Sequence, residues 1–276
     1  MTARLAVVGH VEWVEFARVE RVPRAGEIVH AREMFEEAGG GGGVAAVQLV
    51  RLAGAVDFLT ALGTDGVGQR AREALWARGV SVHAAPRERP QRRAFTLLDD
   101  AGERTITVLG ERIVPHGDDA LPWARLRRTD GVYFTGGDAA ALRAARQARV
   151  LVATPRAREA ITEAGVELDV LVHSGSDAGE RVDPGELPVA PRLIVTTLGA
   201  RGGRWRTQVG EEGGWAAAPL PGPVADAYGA GDTFAAALTF AISSGRDLTT
   251  ALDLAARCSA ACLTGRGPYE AELPAP

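Results

Sequence analysis

The chain has 276 residues, a formal net charge of -4, and 46% hydrophobic and 24% charged residues. That length and composition suit one large soluble globular domain with a sizeable core. With no basic excess and no apolar run long enough to span a bilayer, neither nucleic acid nor a membrane is an expected partner.

Residues Leu5 to Gly9 read as a first buried strand rather than a signal peptide. Residues 11–37 alternate polar and apolar in places around Pro23-Arg24-Ala25-Gly26-Glu27, which suggests short antiparallel strands about a turn. Gly39 to Gly43 form a glycine run, either a hinge or a loop that brings backbone close to a ligand. An apolar helix over Val44 to Leu52 follows. Val56 to Leu62 reads as a strand, Gly63 to Gly68 as a turn, and Gln69 to Arg78 as a helix ended by Gly79. Arg93 to Asp99 and Arg104 to Leu109 flank a turn and suggest a hairpin.

From Gly131 onward strands and helices alternate. Strands are expected at Val132–Phe134, Val150–Val152, Val170–Val172 and Arg192–Thr197, with helices at Ala139–Gln147 and Arg156–Ala164. This rhythm implies an α/β fold, a mostly parallel sheet with helices on both faces. The segments near 11–37 and 93–109 break the rhythm, so they are expected to pair as a small β lid on a single domain spanning 1–276. Cys258 and Cys262 lie four apart in an Ala-rich helix; packing explains them better than metal, and a reducing cytoplasm fits. The chain has neither Lys nor Asn, so every fixed cationic side chain is Arg.

The stretch that organises the rest is Asp226 to Phe234. Gly229-Ala230-Gly231 is a turn of small residues opening a helix whose apolar positions include Phe234, Leu238 and Ala241. Backbone N–H groups at a helix start attract anions, phosphate above all. Asp232, in the first turn, is out of place if binding alone is the aim, but it suits a base that deprotonates a hydroxyl attacking that phosphate. Taken alone, Gly-Ala-Gly-Asp also fits a plain turn with a helix-capping acid.

The longer string Asp226-x-x-Gly229-Ala230-Gly231-Asp232-Thr233-Phe234 resembles the signature of the ribokinase family, the PfkB carbohydrate kinases, with Ala227 in place of that pattern's Thr. Pro23-x-x-Gly26-Glu27, Gly39-Gly40 with the following helix, Gly63-x-Asp65-x-x-Gly68 and Thr197-Leu198-Gly199 resemble further family motifs in the same order. The resemblance implies a three-layer αβα ribokinase-like fold whose β lid often forms a homodimer interface. It also implies an ATP-dependent phosphotransferase acting on an alcohol group of a sugar, sugar phosphate or nucleoside, with Mg²⁺; a monovalent cation is a further candidate.

On this reading Asp232, Gly229, Ala230 and Gly231 are catalytic. Thr197, Gly199, Asp226, Gly229 and Gly231 bind the nucleotide, and Ser174 and Asp177 stand where the family supports Mg²⁺ through water with Asn-x-x-Glu. Gly39, Gly40, Asp232 and Glu12 face the substrate. The departures lie on that substrate side. The family's sugar-binding Asn falls at Val44 or Gly43, and its early lid acid falls at Val14, with Glu12 and Glu15 as replacements. A catalytically silent sugar- or nucleotide-binding regulator is the rival from another class. A Walker-type ATPase is excluded by the absence of Lys, and Gly9-His10-Val11 lacks a dinucleotide-binding fingerprint.

Overall fold

Short Val- and Leu-rich runs become the strands of a nine-stranded sheet in the computed structural model, which describes residues 3–182 and 184–274. In chain order its strands are β1 (Leu5–Val8), β4 (Asp57–Gly63), β5 (Ser81–Arg87), β8 (Gly131–Phe134), β9 (Val150–Ala153), β10 (Val170–Ser174), β11 (Leu193–Thr197), β12 (Gly203–Thr207) and β13 (Glu212–Trp215). The spatial order is β13-β12-β11-β10-β9-β8-β1-β4-β5. From β11 to β5 the neighbours run parallel, while β12 and β13 are antiparallel at one edge. Strands such as Leu5-Ala6-Val7-Val8 are buried along their whole length because helices cover both faces.

One face carries α1 (Gly40–Ala53), α2 (Gly66–Ala77), α5 (Ala230–Ser243) and α6 (Leu248–Cys262), packed on Val7, Phe58, Tyr133 and Val152. The other carries α3 (Ala139–Ala145) and α4 (Arg158–Ala164), packed on Ala6, Val8, Phe134 and Leu151. Cys258 and Cys262 are free thiols buried in α6, where packing was expected to hold them. Among the described residues no helix is long and apolar enough to cross a membrane.

The two segments that break the parallel rhythm do form a separate sheet. Its strands β2 (Glu12–Arg18), β3 (Glu33–Gly39), β6 (Arg93–Leu98) and β7 (Arg104–Leu109) run in the order β3-β2-β6-β7. Phe16 of this lid stacks on Phe35 and meets Tyr228 edge-on, with ring centroids 4.6 and 5.2 Å apart. The first contact lies within the lid, and the second fastens the lid to the segment that precedes α5.

The structure differs locally from the sequence reading. The glycine run is not a loop ahead of a helix; α1 begins at Gly40, so Gly40–Gly43 are its first turn. Tertiary packing overrides the poor helix propensity of glycine there. Helix α2 starts three residues earlier than the periodicity suggests, because the Asp65 carboxylate accepts from Gly68 N at 2.9 Å and caps it. Strands β5 and β12 fall in segments that the sequence reading leaves unassigned.

Candidate active site

Strand order reverses about β1: the chain builds β4 and β5 on one side of it and β8 to β11 on the other. In open α/β sheets such a switch leaves a crevice beyond the carboxyl ends of the strands. Here β1 runs out into His10 and β8 into Thr135 and Gly136. The first turns of α1 and α5 converge on the same place. A Cβ built on Gly41 would lie 2.7 Å from Thr135 Oγ1 and 2.8 Å from Asp232 Oδ1, so glycine is needed for α1 to pass this closely. Tyr133 Oη donates to Asp232 Oδ1 at 3.3 Å.

Asp232 keeps partial access to solvent while sitting deep among protein atoms. Loss of hydration pushes its carboxyl up to about 6; Arg156 opposes this, and the negative charges of Glu180 and Glu12 add to it. The carboxylate therefore titrates close to neutral pH, where a general base works best.

The turn before α5 is held from several sides. Gly229 adopts φ 84°, a left-handed conformation that favours glycine. Tyr228 N donates to the buried Asp226 Oδ1 at 2.8 Å, and Tyr228 Oη accepts from Gly40 N at 2.9 Å, which joins this turn to the start of α1. Ser259 Oγ of α6 reaches Ala230 O at 3.0 Å. Trp215 of β13 stacks on Phe234, centroids 5.6 Å apart. Among the described residues a Cβ on Gly231 would meet nothing within 4 Å outside its own stretch of helix, so tertiary packing does not explain a glycine at that position. Asp226 is fully buried, its Oδ2 has no hydrogen-bond partner among the described residues, and burial raises its pKa.

On the lid side, Glu12 and Val14 lie on one face of β2 and Glu15 on the other. Glu15 pairs with Arg93 away from the crevice. Glu12 is buried; its Oε1 lies 2.7 Å from Arg92 Nε and 3.6 Å from His10 Nε2. Burial would raise the Glu12 carboxyl, but the neighbouring His10 and the Arg92 charge outweigh it and hold the group below its usual value. Of the two acids, Glu12 is therefore the one on the site side, already neutralised by an arginine. Gly39 sits against Val14 and Tyr228: a Cβ there would lie 2.6 Å from Tyr228 Oη and 2.9 Å from Val14 Cγ2.

Ser174 and Thr197 are register partners at the carboxyl ends of β10 and β11, and Gly199 follows with φ 59°. Asp177 is not a free carboxylate. Its Oδ1 accepts from Gly179 N at 2.8 Å and its Oδ2 from Arg156 at 2.7 Å. The Arg156 Nε also contacts Glu180 Oε1 at 2.7 Å, and Glu180 Oε2 accepts from Ser174 N at 2.8 Å. Glu180 is the more enclosed acid, with 14% of its side chain exposed against 40% for Asp177, and its charge reaches Asp232. Thus Asp232, Gly229–Gly231 and Gly40 gather about the starts of α5 and α1, with Glu12 and Gly39 beside them on β2 and β3, while Ser174 and Thr197 end strands further along the sheet and Asp177 and Gly199 follow them.

Sequence reasoning did not single out His10, Gly41, Arg92, Tyr133, Thr135, Arg156 or Glu180. Glu180 was findable: it is another acid three residues beyond Asp177. The others depend on long-range convergence that spacing does not encode.

Across residues 2–179 and 152–276 the sequence matches the family described as pfkB family carbohydrate kinase. It is 27% identical over 273 residues to an ATP-dependent ribose-1-phosphate kinase of Halopiger xanaduensis, covering 93% of this chain and 90% of that one. It is 24% identical over 297 residues to a ribokinase of Arabidopsis thaliana, covering 95% and 76%. The fold matches the structure of Arabidopsis thaliana ribokinase complexed with ribose and ATP, with TM-score 0.77, 22% identity and coverage of 99% and 96%. It also matches a ribokinase of Giardia lamblia, with TM-score 0.80, 18% identity and coverage of 97% and 95%. At these identities the solved structures speak for the fold, and the sequence match speaks for descent: the chain belongs to the pfkB family of carbohydrate kinases.

Proposed function

We propose that the protein transfers the γ-phosphate of ATP to a hydroxyl of a sugar or related small molecule, with Asp232 as the general base. The observation that carries this reading is the placement of Asp232 in the first turn of α5, directly after a glycine turn and against Tyr133 and Gly41; burial there pushes its carboxyl up to about 6. The N–H groups of Gly229, Ala230 and Gly231 point along the positive end of α5 and suit the terminal phosphates. The bare Gly231 then has a reason that tertiary packing does not supply: close approach of a ligand. Thr197 and Gly199, at the end of β11, suit the rest of the nucleotide. Asp226 shapes the turn through Tyr228 N, and its unpartnered Oδ2 fits a monovalent cation at the root of that turn.

Glu180, Asp177 and the Ser174 hydroxyl offer the hard oxygen donors that suit Mg²⁺ or its waters. When bound, the ion would supply charge neutralisation for the phosphates. Arg156 now bridges the two carboxylates, keeping them converged. Asp232 takes the hydroxyl proton, the new O–P bond forms, and ADP departs; positioning and electrostatics carry such a transfer.

The rival is a binding protein without chemistry, favoured by Val14 and Val44 in place of the family's sugar-binding groups. A desolvated, raised Asp232 argues against it, since binding anions next to an acid is wasteful. The relatives' names divide between a free sugar and a sugar phosphate, so they do not choose the acceptor. ADP release in the presence of Mg²⁺, measured with and without sugars, sugar phosphates and nucleosides, tests the reading. Acceptor-dependent release supports it, and a protein that binds ATP yet releases no ADP with any acceptor favours the rival. The apolar exposed residues Ile106, Val108 and Leu109 on edge strand β7 suit a homodimer through the lid, which light scattering at micromolar concentration checks. The buried free thiols suit a cytoplasmic protein.

A further inference from the structure

Three arginines converge on the crevice from different parts of the chain, and their partners differ. Arg92, at the root of the lid, is offset by Glu12 at 2.7 Å. Arg156, after β9, is offset by Asp177 and Glu180, each at 2.7 Å. Arg112 lies on the return from the lid to the main sheet, two residues before Val114. Val114 packs over the crevice: a Cβ on Gly136 would be 3.3 Å from Val114 Cγ1 and 3.6 Å from His10 Nδ1. The Arg112 guanidinium donates to Arg156 O at 3.2 Å. It has no carboxylate partner among the described residues, although it is half-buried. Burial lowers its pKa, Arg92 and Arg156 lower it further, and Glu12 and Asp232 pull the other way, so all four charges lie within its reach.

A half-buried cation with no carboxylate in contact is costly, and more so once a substrate displaces its water. A neutral sugar would leave Arg112 in that state. An anionic group on the substrate would relieve it, and guanidinium groups match phosphate well. Two recipients compete: the phosphoryl group in transfer, or a second phosphate already on the acceptor. The transferring group has the N–H donors of the α5 start beside Asp232, whereas Arg112 stands between that point and the lid-side pair of Arg92 and Glu12, where a second phosphate on the acceptor would reach it.

We propose that the acceptor carries a phosphate of its own, recognised by Arg112 with Arg92 beside it, so that the reaction converts a sugar phosphate and ATP into a sugar bisphosphate and ADP. This rests on the kinase reading above. The hydroxyl proton goes to Asp232, the acceptor oxygen gains the γ-phosphoryl group, and the bond to the β-phosphate oxygen breaks; the phosphate held by Arg112 is unchanged.

The test uses the full chain with ATP and Mg²⁺, offered ribose, ribose 1-phosphate, ribose 5-phosphate and adenosine. One of the phosphorylated sugars is expected to exceed ribose and adenosine in kcat/KM by about tenfold or more, the scale of one charge-assisted hydrogen bond. R112Q should raise the KM of that sugar phosphate by about 10- to 100-fold while the KM of ATP stays put. R112K, which keeps the charge, should recover part of the loss, and melting temperatures report whether both variants fold. Preference for ribose or adenosine would overturn the proposal while leaving the kinase reading intact. So would an R112Q effect confined to kcat and equal for all acceptors, which would assign Arg112 to the transferring group. If no acceptor releases ADP, the kinase reading fails separately, and calorimetry decides: binding of either sugar phosphate but not ribose, lost in R112Q, supports the anion site, and its absence refutes it.

Discussion

Replacing Asp232 by Asn should make the protein more stable and nearly inactive at the same time. The folded state raises this carboxyl from 3.8 to about 6, chiefly by desolvation. A group whose folded pKa is raised binds more protons when folded, so its contribution to stability falls as pH climbs from 3.8 to about 6 and stays lost above. Two units at about 1.4 kcal/mol each set a ceiling near 3 kcal/mol at neutral pH. Asp232 keeps some solvent access, and an acid in the first turn of a helix is favoured by roughly 0.3–1 kcal/mol, so about 1–2 kcal/mol remains. Asn keeps the size and can still accept from Tyr133 Oη, which now donates to Asp232 at 3.3 Å. In a chain of this length that corresponds to a rise in Tm of about 2–6 °C at pH 7. Turnover should fall by about 10²–10⁴-fold, the usual worth of a general base. Calorimetric melting and an ADP-release assay on the same sample read both quantities. A variant that melts lower than the parent and turns over at the parent's rate would refute the reasoning on both counts.

Gly41→Ala puts a methyl 2.7 Å from Thr135 Oγ1 and 2.8 Å from Asp232 Oδ1. It should displace the base and lower kcat by about 10- to 100-fold while Tm changes little, since alanine favours the helix; steady-state kinetics with a melting curve check this. Glu180→Gln should raise the Mg²⁺ concentration for half-maximal turnover more than Asp177→Asn does, because Glu180 is the more enclosed acid and couples to Asp232; an Mg²⁺ titration of each variant reads the order. Glu272, whose carboxylate oxygens have no hydrogen-bond partner among the described residues and whose Oε2 lies 3.7 Å from Arg51 Nε, is pushed from 4.5 up to about 8 by burial, against the Arg51 charge. Its cost grows as pH rises through that window, so Glu272→Gln should flatten the fall in Tm between about pH 5 and 8, measured by thermal melts across pH.

Periodicity was enough to read the alternation from Gly131 onward and the two lid hairpins, because strand and helix repeats differ and turn residues mark their ends. It was not enough for Ser81–Arg87, an edge strand with one mostly half-exposed face, or for Gly203–Thr207, where arginines alternate with a half-buried Trp. The glycine run looked like a loop because glycine is a poor helix former; the structure needs it bare for steric reasons at Gly41 and Gly42 that only the folded contacts reveal. The motif around Asp232 was legible because its parts are adjacent in the chain. Tyr133, Thr135, His10 and Arg156 were not, because they reach the site through strand order. Glu12 was legible as a candidate, but its pairing with Arg92 was not. Asp177 kept its sequence position while its carboxylate went to Arg156, leaving Glu180 better enclosed.

The pH dependence of the transfer step tests the central claim most directly. If Asp232 is the base, kcat/KM for the acceptor should rise with pH through a single midpoint near 6 and level off above it, since only the deprotonated form accepts the proton. Asp232→Asn should abolish that limb and leave a low, flat rate. A profile for the parent protein that is flat from about pH 5 to 8, or a limb near 6 that survives in the Asn variant, would contradict the account.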